Sequence, residues 1–128
     1  ELDVAQITRL QRMKTGELIA VSTTAGAILG KASEDARTAL HAYAHDIGLA
    51  FQIADDLLDV EGDAETVGKA TGKDADANKA TFVSLLGVDK ARQQAQLLSE
   101  QAAGHLEIFG EKGDLLKQMA RFIVERRT

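Results

Sequence analysis

The stretch Phe51-Gln52-Ile53-Ala54-Asp55-Asp56-Leu57-Leu58-Asp59 sets three carboxylates at the end of an apolar run. Six acids stand from Asp55 to Glu65, with no Lys or Arg among them. In a helix, residues three and four apart share a face. Gln52, Asp55, Asp56 and Asp59 then form a polar stripe on an otherwise apolar helix. Asp55 and Asp59 lie one turn apart, with Cβ atoms about 5–6 Å from each other, so a cation between them could take an oxygen from each. Asp56 points about 100° away from Asp55.

Without a cation the stripe is costly. Like charges at i, i+4 repel. Acids at a helix C-terminus oppose the macrodipole, at about 0.3–1 kcal/mol each, and desolvating a carboxylate costs more. Nothing basic lies in the next turn. A bound cation would offset all three penalties. Oxygen donors without His or Cys point to a hard ion, Mg²⁺ before Ca²⁺. Mg²⁺ usually takes one or two carboxylates and completes its shell with water and substrate phosphates. The plainer account is a solvated acidic helix end. The apolar flank of Ile53, Ala54, Leu57 and Leu58, which should pack on neighbours, weighs against it.

If phosphates arrive with Mg²⁺, bases should surround them. Lys69 and Lys73 each follow a glycine, Gly68 and Gly72, and Lys79 stands a little further on. Glycine permits close backbone approach, which suits a phosphate loop. Lys14-Thr15-Gly16 is a second such set. One Lys beside a Gly is ordinarily a solvated surface residue; the signal is the combination of acids on one helix with bases on a loop and another helix.

The elements that must position these residues are helical. The chain of 128 residues supports one modest core and one domain. It is 45% apolar and 27% charged, has no proline and is 4% aromatic, a balance that favours helices over strands. Its net charge of −5 disfavours nucleic acid as a partner. The absence of cysteine excludes disulfides, thiolate metal sites and a Cys nucleophile, and fits a cytoplasmic setting. No apolar run is long enough to span a membrane. The chain opens Glu-Leu-Asp, with no initiator Met, and a helical pattern starts at once, as in a piece of something longer.

Four helical blocks are predicted. The first runs from the N-cap Asp3 to a C-terminal Gly30, with a break or kink near Lys14 and Gly16. The second is capped by Ser33 and reaches about Val60. From Glu61 to Lys79 periodicity vanishes, which reads as a long functional loop. A short turn from Thr81 to Leu86 leads to a third helix, Asp89 to Phe109, and Gly110 and Gly113 separate it from a fourth, Asp114 to about Arg126. The class is all-α.

These residues resemble the trans-isoprenyl diphosphate synthases of the farnesyl/geranyl diphosphate synthase type. Phe51-Gln52-x-x-Asp55-Asp56-Leu57-Leu58-Asp59 is similar to their second aspartate-rich motif. Gly62-Asp63, Val67-Gly68-Lys69, Gly72-Lys73-Asp74, Asn78-Lys79-Ala80-Thr81-Phe82 and Leu85-Leu86-Gly87 follow in the family's order, and Lys14-Thr15-Gly16-Glu17-Leu18-Ile19 resembles its K-T motif. Gly48-Leu49-Ala50-Phe51-Gln52 fits as well. Val83 stands where family members often carry Pro, and Phe82 where Tyr is common.

The resemblance implies that residues 1–128 are the C-terminal helices of the all-α isoprenoid synthase fold. It implies a Mg²⁺-dependent prenyltransferase that condenses isopentenyl diphosphate with an allylic diphosphate, dimethylallyl or geranyl, to geranyl or farnesyl diphosphate. Asp55, Asp56 and Asp59 would hold Mg²⁺. Lys14, Lys69 and Lys79 would bind diphosphate, and Thr15 and Gln52 would line the site near the carbocation. The resemblance also implies a homodimer for the full-length protein. The family's first aspartate-rich motif is absent, so the chain would carry only the second half-site and be inactive alone. The product length is not written in these residues.

Two other classes compete. Asp74-x-Asp76-x-Asn78 opens like an EF-hand loop, but Lys79 stands where Gly is needed and Leu85 where Glu is needed. A non-catalytic helical interaction domain with an acidic cation-binding patch is the structural alternative. His41 and His45, one turn apart, have no third ligand in the sequence, and His105 stands alone. A basic C-terminus, with Arg121, Arg126 and Arg127, suits the helix dipole, with a lesser prospect of a diphosphate role.

Overall fold

The computed structural model describes residues 1–65 and 81–126. Every regular element among the described residues is helical. Helix α1 spans Val4–Gln11. Its cap is reciprocal: Gln6 N–H donates to Asp3 Oδ1 at 2.8 Å, and Asp3 N–H donates to Gln6 Oε1 at 2.9 Å. The helix does not break at Lys14. Residues Arg12–Gly16 form a π-helical turn, which runs straight into α2, Glu17–Leu29. The wider turn absorbs the disturbance that the sequence places there.

Helix α2 closes in a Schellman arrangement. Lys31 N–H donates to Ile28 O at 3.0 Å and Ala32 N–H to Ala27 O at 2.9 Å. The left-handed position is taken by Lys31, with φ 55, rather than by the expected Gly30. Helix α3, Glu34–Glu65, is capped by Ser33, whose hydroxyl accepts from Ala36 N–H at 3.2 Å. It outruns the predicted end at Val60. Glu61 is ion-paired with Arg92, which anchors the extra turn across the fold.

The remaining elements are α4, Phe82–Leu86, α5, Val88–His105, a 3₁₀ segment, Glu107–Gly113, and α6, Asp114–Glu125. Thr81 caps α4 through a reciprocal pair with Ser84. Helix α5 ends at His105, before the predicted Phe109, and the 3₁₀ segment turns the chain, helped by Gly110 at φ 56.

Helix α3 is the central strut. Ile7, Leu49, Ile53, Leu57, Phe82 and Leu98 bury one end of the core against it, and Tyr43, Ile47, Leu106 and Ala120 the other. Burying a Leu or Ile side chain stabilises the fold by about 1.5–3 kcal/mol. Outward faces remain apolar on α2, at Leu18, Val21 and Leu29, and on α6, at Leu115, Met119 and Phe122. No helix among the described residues is long and apolar enough to cross a membrane.

Candidate active site

The acid stripe lies on the last turns of α3, and the fold gives its members different surroundings. Gln52 and Asp56 are buried, at 4% and 8% exposure. Asp55 is exposed and Asp59 half-buried. The split follows the helical period: Ile53 and Leu57 pull one face into the core, Asp56 lies beside them, and Asp55 falls outside it.

The π turn meets this stripe. Gln52 Nε2 donates to Thr15 Oγ1 at 2.6 Å, which ties two sequence motifs 37 residues apart. Small residues permit the approach. A Cβ built on Gly48 would stand 2.9 Å from Gly16 Cα, so no side chain fits between α3 and the π turn there. Lys14 is exposed on the same turn, beside Thr15. The structure thus joins Thr15 to Gln52, with Lys14 next to the first in sequence and Asp55 one turn beyond the second. Lys69, Lys73 and Lys79, and the Asp74-Asp76-Asn78 series, lie outside the described residues.

The stripe suits an open cation site. Asp59 Oδ2 is a buried oxygen with no hydrogen-bond partner, and Asp55 is 62% exposed one turn earlier. No three His, Cys, Asp or Glu side chains converge as a closed cage among the described residues. Asp55 and Asp59 could each give a carboxylate oxygen to an ion whose shell is finished by water and phosphate.

The sequence holds no base in the turn that follows the acid stripe. The structure supplies one from the far end of the chain. Arg126 Nη2 lies 3.7 Å from Asp55 Oδ1, and its guanidinium stacks on Phe51 at 4.6 Å from the ring centroid. A second polar cluster also needed the fold. Buried Asp46 accepts from His105 Nε2 at 2.9 Å and faces His45 Nδ1 at 3.3 Å. His105, alone in the sequence reading, joins α5 to α3, and His45 faces Asp46. Deeper in the same end of the core, Tyr43 donates to Leu116 O at 2.8 Å, and burial pushes its phenol up to about 12.

Residues 1–119 match the polyprenyl synthetase family. The chain belongs to that family. It is 42% identical to the dimethylallyltranstransferase of Fischerella ambigua over 98% of its length, covering 36% of that protein. It is 39% identical to the farnesyl diphosphate synthase of Escherichia coli over 94% of its length, covering 42% of that protein. An apo FPP/GFPP synthase structure from Zymomonas mobilis aligns with 95% of the chain at TM-score 0.81 and 52% identity, the chain covering 39% of it. The decaprenyl diphosphate synthase structure from Rhodobacter capsulatus aligns with 99% at TM-score 0.85 and 27% identity, with 51% of that chain covered. The all-α architecture is thus that of prenyl diphosphate synthases, and the chain spans about half their length or less.

Proposed function

We propose that this chain forms the allylic-diphosphate half of a trans-isoprenyl diphosphate synthase. The observation that carries this reading is the 2.6 Å hydrogen bond from Gln52 to Thr15, which links the π turn bearing Lys14 to the helix bearing Asp55. Bases and acids separated in sequence then face one ligand.

Each residue has a derived task. The Lys14 ammonium is a point charge that attracts a diphosphate oxygen. Thr15 holds the amide nitrogen of Gln52, which leaves Gln52 Oε1 as a negative dipole end toward an allylic group gaining positive charge. Asp55 and Asp59 offer carboxylate oxygens to a divalent cation, with Asp56 supporting them from the buried side. Mg²⁺, when bound, would supply positive charge opposite the departing diphosphate. Lys69 and Lys79 join the diphosphate side on the strength of the motif resemblance. The allylic C–O bond breaks, the alkene of isopentenyl diphosphate attacks the allylic carbon, and a proton leaves the adduct. The isopentenyl diphosphate site, the first aspartate-rich motif and the homodimer contact are proposed to belong to the remainder of a full-length synthase, so this half is inactive alone.

Calorimetric titration with geranyl diphosphate, with and without Mg²⁺, tests the reading. Binding should require both Mg²⁺ and Asp55. Removing one charge-assisted interaction, about 1.5–3 kcal/mol, should weaken binding roughly 10- to 150-fold in Asp55→Asn. Equal binding by Asp55→Asn, or equal binding without Mg²⁺, refutes the role given to Asp55.

A further inference from the structure

Arg126 follows directly on α6, and its backbone has left the helix, at φ −61 and ψ 144. The side chain turns back over α3. Its Nε donates to Ile123 O at 3.2 Å, its face lies on Phe51, and its Nη2 reaches toward Asp55. At 3.7 Å the contact with Asp55 is an ion pair without a hydrogen bond. The arginine is only 19% exposed, yet Nη2 is buried without any hydrogen-bond partner. Asp55 is mostly in solvent.

We infer that Arg126 is a competing counter-charge for the cation site, a positioning residue that neutralises Asp55 when no cation is bound and must release it when one binds. The inference rests on the reading of Asp55 as a cation ligand. Three observations support it. Arg126 sets a positive charge 3.7 Å from Asp55, which offsets the like-charge repulsion between Asp55 and Asp59 one turn apart. The guanidinium is held in place by Phe51 and the Ile123 carbonyl, so it stays beside Asp55 at little further ordering cost. The contact itself is loose and partly solvated, which makes it weak enough for a divalent ion to displace. A carboxylate oxygen cannot serve Arg126 and the cation equally, so each must weaken the other by the same factor.

The test is Mg²⁺ titration of the whole chain by calorimetry, in wild type, Arg126→Gln, Arg126→Lys and Asp55→Asn, with the ¹⁵N signal of Arg126 Nε followed in wild type. Arg126→Gln should bind Mg²⁺ about two- to fivefold tighter, the change that corresponds to an exposed ion pair. Arg126→Lys, which keeps the charge but loses the Phe51 stack and the bond to Ile123 O, should fall between wild type and Arg126→Gln. The Arg126 signal should shift with Mg²⁺ and saturate at the calorimetric midpoint. Unchanged or weaker affinity in Arg126→Gln overturns the inference alone, as does an unmoved Arg126 signal while Mg²⁺ binds. No Mg²⁺ binding by wild type refutes the role of Asp55 and takes this inference with it.

Discussion

The contact between Gly48 and Gly16 gives the sharpest stability test. A methyl group at Gly48 would lie 2.9 Å from Gly16 Cα, where ordinary carbon contacts are about 3.5–4.0 Å. The obstacle is backbone, so α3 and the π turn must separate by roughly 0.6–1.1 Å. Gln52 sits one turn along from Gly48. A shift of that size takes its 2.6 Å bond to Thr15 to the long end of the hydrogen-bond range or past it. Overpacking costs about 1–3 kcal/mol and the lost bond about 1 kcal/mol. Alanine returns about 1 kcal/mol of helix propensity. Gly48→Ala should therefore destabilise by roughly 1–3 kcal/mol, which lowers Tm by about 3–6 °C per kcal/mol. Gly26→Ala is the control. It is also in a helix interior, and an added Cβ meets no atom within 4 Å. It should raise stability by up to about 1 kcal/mol. Thermal melts of the pair, followed by geranyl diphosphate titration, decide the matter. A Gly48→Ala chain that melts at or above wild type refutes the close-approach argument.

Other outcomes follow from the buried polar groups. Because the Tyr43 phenol holds its proton to about 12 in the fold, the unfolded chain ionises first, near 10. Stability from this group is present below pH 10 and is lost as pH rises toward 12, at most about 2–3 kcal/mol. Urea melts across that window should show a steeper decline in wild type than in Tyr43→Phe, which should start about 1 kcal/mol lower for want of the bond to Leu116. At Asp46, His105→Ala removes a 2.9 Å link between α5 and α3, whereas His45→Ala removes a 3.3 Å contact to its own neighbour. Melts should place the His105 variant about 1 kcal/mol below wild type and the His45 variant within about 0.5 kcal/mol. The reverse order would contradict the bridging role.

Local pattern carried much of the fold. The caps at Asp3 and Ser33 and the helical phase of the acid stripe all appear where residue type and spacing place them. Those signals act within one turn. What was not legible depends on distant partners. Val60 looks like the end of a helix until Arg92 is seen to hold Glu61. Arg126 reads as a cation suited to its own helix dipole, yet its guanidinium lies against Phe51 and Asp55 on α3. His105 reads as standing alone because its acceptor, Asp46, is 59 residues earlier. At the site, Lys14 and Thr15 could be linked to the stripe through motif resemblance, while the bond from Gln52 to Thr15 needed the π turn, which no simple 3.6-residue period encodes.

The π turn at Arg12–Gly16 also bears on which changes in length the gene can accept. Such a turn holds one residue more than an α-helical turn of the same position. Deleting a single codon there would leave a smooth α-helix and remove no large core side chain. It would nonetheless rotate everything on one side of the cut by about 100° relative to the other. The docked faces of α1 and α2 could then no longer both meet α3. The segment is thus a phase adjuster, and its length is constrained as well as its composition.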